Sequence, residues 1–205
     1  MNRPSTKGIP NLKHGKFSGE PETIWLTEKT PDRKMQLLKV FSFRDPRGKE
    51  WETPSCYVVD GTSIPRALWT LVGSPYTGNY RMASIVHDKA CDDAVGNSKA
   101  RRAADRMFYH GCRAGGCSVA EATVLYIGVR IGALLPFVPA WSMTIRVNHA
   151  GPRLTRSAAD ERLEADLRLA ADLVLSPGEI DDPVVVERRT DLALSQVSGV
   201  KLRNR

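Results

Sequence analysis

His87 and Asp88 stand side by side in one stretch of helical periodicity, and Asp105 sits in the next. An imidazole that takes a proton, a carboxylate that fixes its tautomer and a further acid able to hold a hard cation are the parts of a general-base site. His87 falls one turn after Ala83 and one turn before Cys91, so its ring projects from the apolar face of its helix. Asp105 precedes Phe108 by three residues and Cys112 by seven, again on a face that reads as buried. Short connections would make the two helices antiparallel neighbours with His87 facing Asp105. Asp88 points roughly 100° further around its helix and is the candidate ligand for a cation that polarises a substrate carbonyl.

The same residues also suit a buried hydrogen-bonded pair that only ties two helices together. Zinc offers a third chemistry, with His87, Cys91, His110, Cys112 and Cys117 as donors, but the chain has no CxxC pair to form a compact ligand set. Cys91 as a nucleophile activated by His87 is a fourth, although thiols one turn along a buried face more often simply pack. His14 and His149 lie in polar, Gly- and Pro-containing stretches and receive no role.

The positioning elements follow from periodicity and punctuation. Residues 1–19 mix Pro, Gly, Lys and Asn without apolar repeat and read as a basic extended arm that orders only against a partner. Met35–Phe43 and Trp51–Val59 flank Asp45-Pro46-Arg47-Gly48 and read as a β-hairpin. The spacing of Met82, Ala83, Val86, Ala90 and Ala94 predicts a helix over about Tyr80–Ala94, ended by Gly96. Ser98 is positioned to cap a second helix that Gly115-Gly116 closes. Ser118 with Glu121 forms a capping box for a third, which Pro136 and Pro139 stop, with Trp141–Val147 as a short closing strand. Leu163, Leu167, Ala170 and Val174 form the stripe of an amphipathic helix within 151–176, and 177–205 reads as a polar tail. The expected fold is α+β: an N-terminal β-hairpin on a three-helix core (20–150), with the amphipathic helix and extended tails added.

A chain of 205 residues can build one sizeable core, and its 26% charged content argues against wholesale disorder. A formal charge of +7 suits contact with an anionic membrane surface, an acidic protein or nucleic acid, and does not choose among them. No apolar run reaches the roughly 20 residues that span a bilayer, and Met1–Lys16 lacks a secretory apolar stretch, so synthesis in the cytoplasm is expected. Four scattered cysteines do not make a disulfide scaffold.

The run Asp60–Arg66, then His87-Asp88, Ala104-Asp105 with Phe108, and Tyr126 followed by Val129-Arg130 and Gly132, resembles the phage-associated domain-of-unknown-function family 1353 over about Phe17–Val147. That resemblance implies a bacteriophage setting, with synthesis in a bacterial host cytoplasm and a place in the virion, and no defined activity. The His-Asp helix followed by a helix with Asp and Phe is also similar to the compact bacterial phospholipase A2 pattern. This second likeness implies His87 as general base, Asp105 as its orienting partner and Asp88 as a calcium ligand. It departs in having Cys91 where a Tyr is usual, and in lacking a Cys/Gly-rich calcium loop before Gly73. Asp60 and its turn could stand in as metal ligand, or Asp60 could only cap the turn before Pro65.

These readings lead to a hydrolase, with a lipid ester as the expected substrate. The alternative is a phage tail or virion structural protein, in which the His-Asp pair is architectural and the terminal arms bind phage proteins or other copies of the chain. A cell-wall hydrolase is the third.

Overall fold

The computed structural model describes residues 12–26, 34–59, 73, 78–134 and 158–197. Strands dominate the first part and helices the second, giving the α+β class. Two small antiparallel sheets form. One holds β1 (Lys16–Phe17), β4 (Phe41–Arg44) and β5 (Glu50–Thr53) in the order β1-β4-β5. The other holds β2 (Thr23–Trp25), β3 (Met35–Leu37) and β6 (Val58–Val59) in the order β2-β3-β6.

The single hairpin expected over Met35–Val59 is therefore divided between two sheets. Phe41–Arg44 pairs with Glu50–Thr53 across the Asp45–Lys49 turn, whereas Met35 pairs with Val59 in the second sheet. The division falls where Pro54 interrupts the ladder and Cys56 takes a left-handed φ of 65°. Asp45 builds the tight turn: its Oδ1 accepts from the backbone N–H groups of Arg47 (2.9 Å) and Lys49 (3.0 Å), and its Oδ2 accepts from Trp51 Nε1.

Five helices follow among the described residues: α1 (Arg81–Asp93), α2 (Ser98–Ala114), α3 (Val119–Leu134), α4 (Ala158–Leu175) and α5 (Pro183–Val197). Asn97, not Ser98, caps α2 by accepting from Ala100 N–H at 2.9 Å. The Ser118–Glu121 capping box forms as the sequence indicates, with both reciprocal bonds in place. The α4 stripe docks inward, burying Leu167, Ala170 and Val174. Trp141–Val147 lies outside the described residues.

Two expectations for the termini need correction where the structure describes them. Within the N-terminal arm, Phe17 pairs in register with Phe43 and its ring packs 4.7 Å from that of Phe43, while His14 is buried. Within the polar tail, Asp182 accepts from Val184 N–H at 2.8 Å and Pro183 opens α5, which buries Val186, Thr190, Ala193 and Leu194. Ion pairs hold α5 to the core. Arg102 meets Glu187 (3.0 Å) and Asp191 (2.6 Å), and Arg106 Nε lies 2.7 Å from Glu187.

Helices α1 and α2 cross closely at Ala83 and Gly111. A Cβ on Gly111 would stand 2.8 Å from the Ala83 Cβ, so the glycine allows this approach. Gly111→Val is expected to force the helices apart and to cost about 1–3 kcal/mol, read from the urea midpoint at unchanged slope. A midpoint equal to wild type would show that the crossing can relax.

Candidate functional site

Because Ala83 meets Gly111 and His87 meets Asp105, α1 and α2 run antiparallel with their contact faces in mutual register. The Ala94–Asn97 connection, with Gly96 at φ 75°, reverses the chain within a few residues. His87 Nε2 lies 2.9 Å from Asp105 Oδ1, and both side chains are 0% exposed. Asp105 has two further partners. Arg101, one turn earlier on α2, donates from Nε to Oδ1 at 3.1 Å, and Arg130 of α3 donates from Nη1 to Oδ2 at 2.9 Å. Arg130 Nη2 in turn approaches Asp191 of α5 at 3.5 Å.

Burial raises the Asp105 carboxyl, but the His87 hydrogen bond and the positive charges around it outweigh that and hold it below its ordinary value. Burial likewise lowers the His87 imidazole, opposed by Asp105 and reinforced by Arg101. The result is a neutral ring beside an ionised carboxylate. An ionised carboxylate only accepts, so the ring proton sits on Nε2 and the lone pair on Nδ1. Phe108 packs against the ring at 4.7 Å between centroids. The half-buried Cys91 Sγ is nearly equidistant from the two ring nitrogens, at 3.6 and 3.5 Å. An atom so placed cannot lie in the ring plane without striking the carbon between those nitrogens. The thiol therefore lies over the ring, out of line with the Nδ1 lone pair.

The structure thus brings His87 and Asp105 together. His87, Cys91 and Asp105 place donor atoms within 4.8 Å of one another. Both Asp105 oxygens already face guanidinium groups, so a cation there would meet two positive charges, and the arrangement suits proton transfer better than metal ligation. Asp88 is buried but joins no group of three such donors among the described residues, and Asp60 lies outside them. The five-residue zinc set does not assemble either. His110 turns to His14, and Cys112 and Cys117 are buried free thiols.

His14 belongs to a second cluster that the sequence did not reveal. Its Nε2 lies 2.9 Å from Asp181 Oδ2, and its Nδ1 lies 2.9 Å from His110 Nδ1. Asp181 Oδ1 also accepts from Arg113 Nε (2.9 Å) and Tyr109 OH (3.1 Å). Burial raises the Asp181 carboxyl, yet the hydrogen bonds from Arg113 and His14 hold it well below the carboxylate range. Burial and the neighbouring His14 push His110 down to about 4, and burial lowers His14 as well.

All three histidines are thus less basic folded than unfolded. Their contribution to stability is complete above the ordinary value of 6.5 and is lost as pH falls toward about 4, where the unfolded chain binds the extra protons. The melting temperature is expected to drop between about pH 7 and about pH 4.5, before most carboxylates titrate. A flat profile across that interval would contradict the buried neutral rings.

Among the described residues no helix is long and apolar enough to cross a membrane. No solved structure matches the chain. Two curated relatives from Sinorhizobium fredii (strain NBRC 101917 / NGR234) do. "Uncharacterized protein y4jT" is 35% identical over 135 residues, covering 65% of this chain and 37% of the relative. "Uncharacterized protein y4iH" is 33% identical over 115 residues, covering 56% of this chain and 45% of the relative. The chain therefore spans less than half the length of either. Residues 35–129, which run from β3 into α3 and carry His87, Asp88, Asp105 and Tyr126, match the family described as "Protein of unknown function (DUF1353)".

Proposed function

We propose that the domain is a hydrolase in which His87 is the general base and Asp105 positions it, with a lipid ester as substrate. The observation that carries this reading is the 2.9 Å contact between His87 Nε2 and Asp105 Oδ1 across two helices. It supports a fixed tautomer with the lone pair on Nδ1. The ring is closed off in the resting structure, so the half-buried Cys91 side chain must move off it to admit water; Nδ1 then takes a proton from that water as the water oxygen adds to the ester carbonyl carbon. Collapse of the tetrahedral adduct breaks the acyl–oxygen bond, and His87 returns the proton to the leaving alkoxide, giving acid and alcohol. The charge of +7 favours an anionic lipid surface.

Calcium takes six to eight oxygen ligands. Asp88 alone among the described residues does not assemble such a set, so no step is routed through a cation.

The test is fatty-acid release from vesicles of anionic and zwitterionic phospholipid, with and without calcium, and with peptidoglycan as a parallel substrate. Hydrolysis of phospholipid that depends on His87 is the expected result. Turnover of peptidoglycan alone would move the reading to a cell-wall hydrolase. Because Cys91 covers the ring, alkylating it with iodoacetamide is expected to lower hydrolysis by at least about tenfold, whereas Cys91→Ala leaves the rate within about threefold. A dead Cys91→Ala enzyme would instead make the thiol the nucleophile.

One observation favours a second reading. Both members of the pair are fully buried, and Asp105 bridges α1, α2 and α3, as an architectural pin in a phage structural protein would. In that reading the partners are phage proteins or other copies of the chain, the setting is the virion, and the purified protein hydrolyses neither substrate.

A further inference from the structure

His87 is sealed from solvent, but the second histidine cluster ends at the surface. Asp181 is acceptor-only when ionised, so His14 must place its proton on Nε2, toward Oδ2 at 2.9 Å. His14 Nδ1 is then a bare lone pair, and the 2.9 Å contact to His110 Nδ1 requires His110 to donate. A neutral His110 that donates from Nδ1 carries its own lone pair on Nε2. Among the described residues that atom has no partner, it is not among the buried unpartnered atoms, and the residue is only half-buried. The hydrogen bonds thus run outward from a fixed carboxylate through two rings to one solvent-facing nitrogen.

We propose that Asp181, His14 and His110 form a relay that presents His110 Nε2 as a second proton-accepting centre, independent of His87, for the O–H of water or of an alcohol.

Its construction supports this. The relay joins three regions far apart in sequence: the segment before β1, α2, and the turn between α4 and α5. Each ring is held on more than one side. His14 is 1% exposed, and its ring stands edge-on to Tyr109 at 6.1 Å. Asp181 is anchored by Arg113 through both Nε (2.9 Å) and Nη2 (3.2 Å), by Tyr109 OH, and by Lys13, whose Nζ reaches the Asp181 carbonyl at 3.2 Å. Carboxylate, first ring and second ring are therefore preorganised, which is what a proton acceptor needs in order to act without reorganising its surroundings. Lys13 and Arg113 beside Asp181, and Asp45 and Arg47 on the hairpin turn near His110, are the other charged groups that face the relay.

The relay also makes His110 adopt the Nδ1–H form, which a bonding partner must impose because the ring has no other reason to hold it here. Nitrogen-15 NMR of the full chain at neutral pH reads this directly. The expected result is His14 protonated on Nε2, and His110 protonated on Nδ1 with an unprotonated Nε2. In Asp181→Asn the amide can donate as well as accept, so His14 is released from its tautomer and the His110 signals shift toward the Nε2–H form. Diethyl pyrocarbonate, which acylates an exposed unprotonated imidazole nitrogen, is expected to modify His110 more than tenfold faster than His87. The same reagent should be slowed several-fold by Asp181→Asn. A wild-type His110 protonated on Nε2, or one that reacts no faster than His87, would overturn the relay. Both measurements use the wild-type chain, so a variant that fails to fold does not decide the matter. Neither readout involves hydrolysis at His87.

Discussion

Asp105→Ala is expected to lower the unfolding free energy by about 3–5 kcal/mol, the cost of leaving buried charges without their counter-ion. The substitution leaves Arg130, which is 4% exposed, with only the longer 3.5 Å contact to Asp191, leaves Arg101 with only the Val129 carbonyl at 3.4 Å, and deprives the His87 ring of its acceptor. Domains of this size have about 5–15 kcal/mol in total, so one carboxylate accounts for a large part of the margin. Asp105→Asn keeps the shape and one acceptor oxygen but not the charge. It should lose less, about 1–3 kcal/mol, because the guanidinium groups retain a hydrogen-bond partner. Urea unfolding of the three proteins, followed by circular dichroism, reads the order directly. A loss below about 1 kcal/mol in the Ala variant would mean that the three-way network contributes little to holding α1, α2 and α3 together.

His87→Ala should abolish phospholipid hydrolysis, a fall of about 10²–10⁴-fold in kcat if the ring is the general base. Alanine is well tolerated in a helix, so the fold survives, with a loss of about 1–3 kcal/mol from the missing hydrogen bond. His87→Gln sharpens the test. Its amide can still donate toward Asp105 but cannot take a proton from water, so it should be as inactive as the Ala variant while recovering part of the stability. A fall in kcat at unchanged KM identifies an interaction made in the transition state and not in substrate binding. Activity that survives in both variants removes His87 from the chemistry. A wild type inactive on every substrate, with a His87→Ala variant that only melts earlier, leaves the architectural pin.

The His87–Asp105 contact was legible because both residues interrupt apolar helical stripes, and a polar group on a buried face needs a partner on the facing helix. The three central helices, the capping box and the docked stripe of α4 are local features carried by periodicity and end signals. Less legible was the split of the strands into two sheets, since pairing of Met35 with Val59 is set by a bend at Leu38–Val40 and the Cys56 turn, not by alternation. α5 was missed although Asp182-Pro183 is a helix-start signal and Val186, Thr190 and Ala193 follow at helical spacing. Its polar composition hid it, and the charged residues that produced that impression are the ones that dock it. The His14 cluster had no sequence signal, because its members are brought together from positions 96 and 167 residues apart. Arg101 and Arg130 were also unforeseen as Asp105 partners, although Arg101 stands one helical turn before it.

The way α5 is attached gives the molecule a weak seam. Arg102 is about one-third exposed where it meets Glu187 and Asp191, so this part of the dock is open to screening, leaving the buried Val186, Ala193 and Leu194 to hold α5. At about 1 M salt the screening length shrinks to about 3 Å, comparable with the contacts themselves. Amide protons of α5 are then expected to exchange with solvent sooner than those of α1 and α2, as hydrogen exchange at low and high salt would read. When that latch lifts, Arg130 loses Asp191 and turns its whole charge on Asp105. Any such opening would carry ionic strength in the surroundings to a carboxylate that solvent itself never touches.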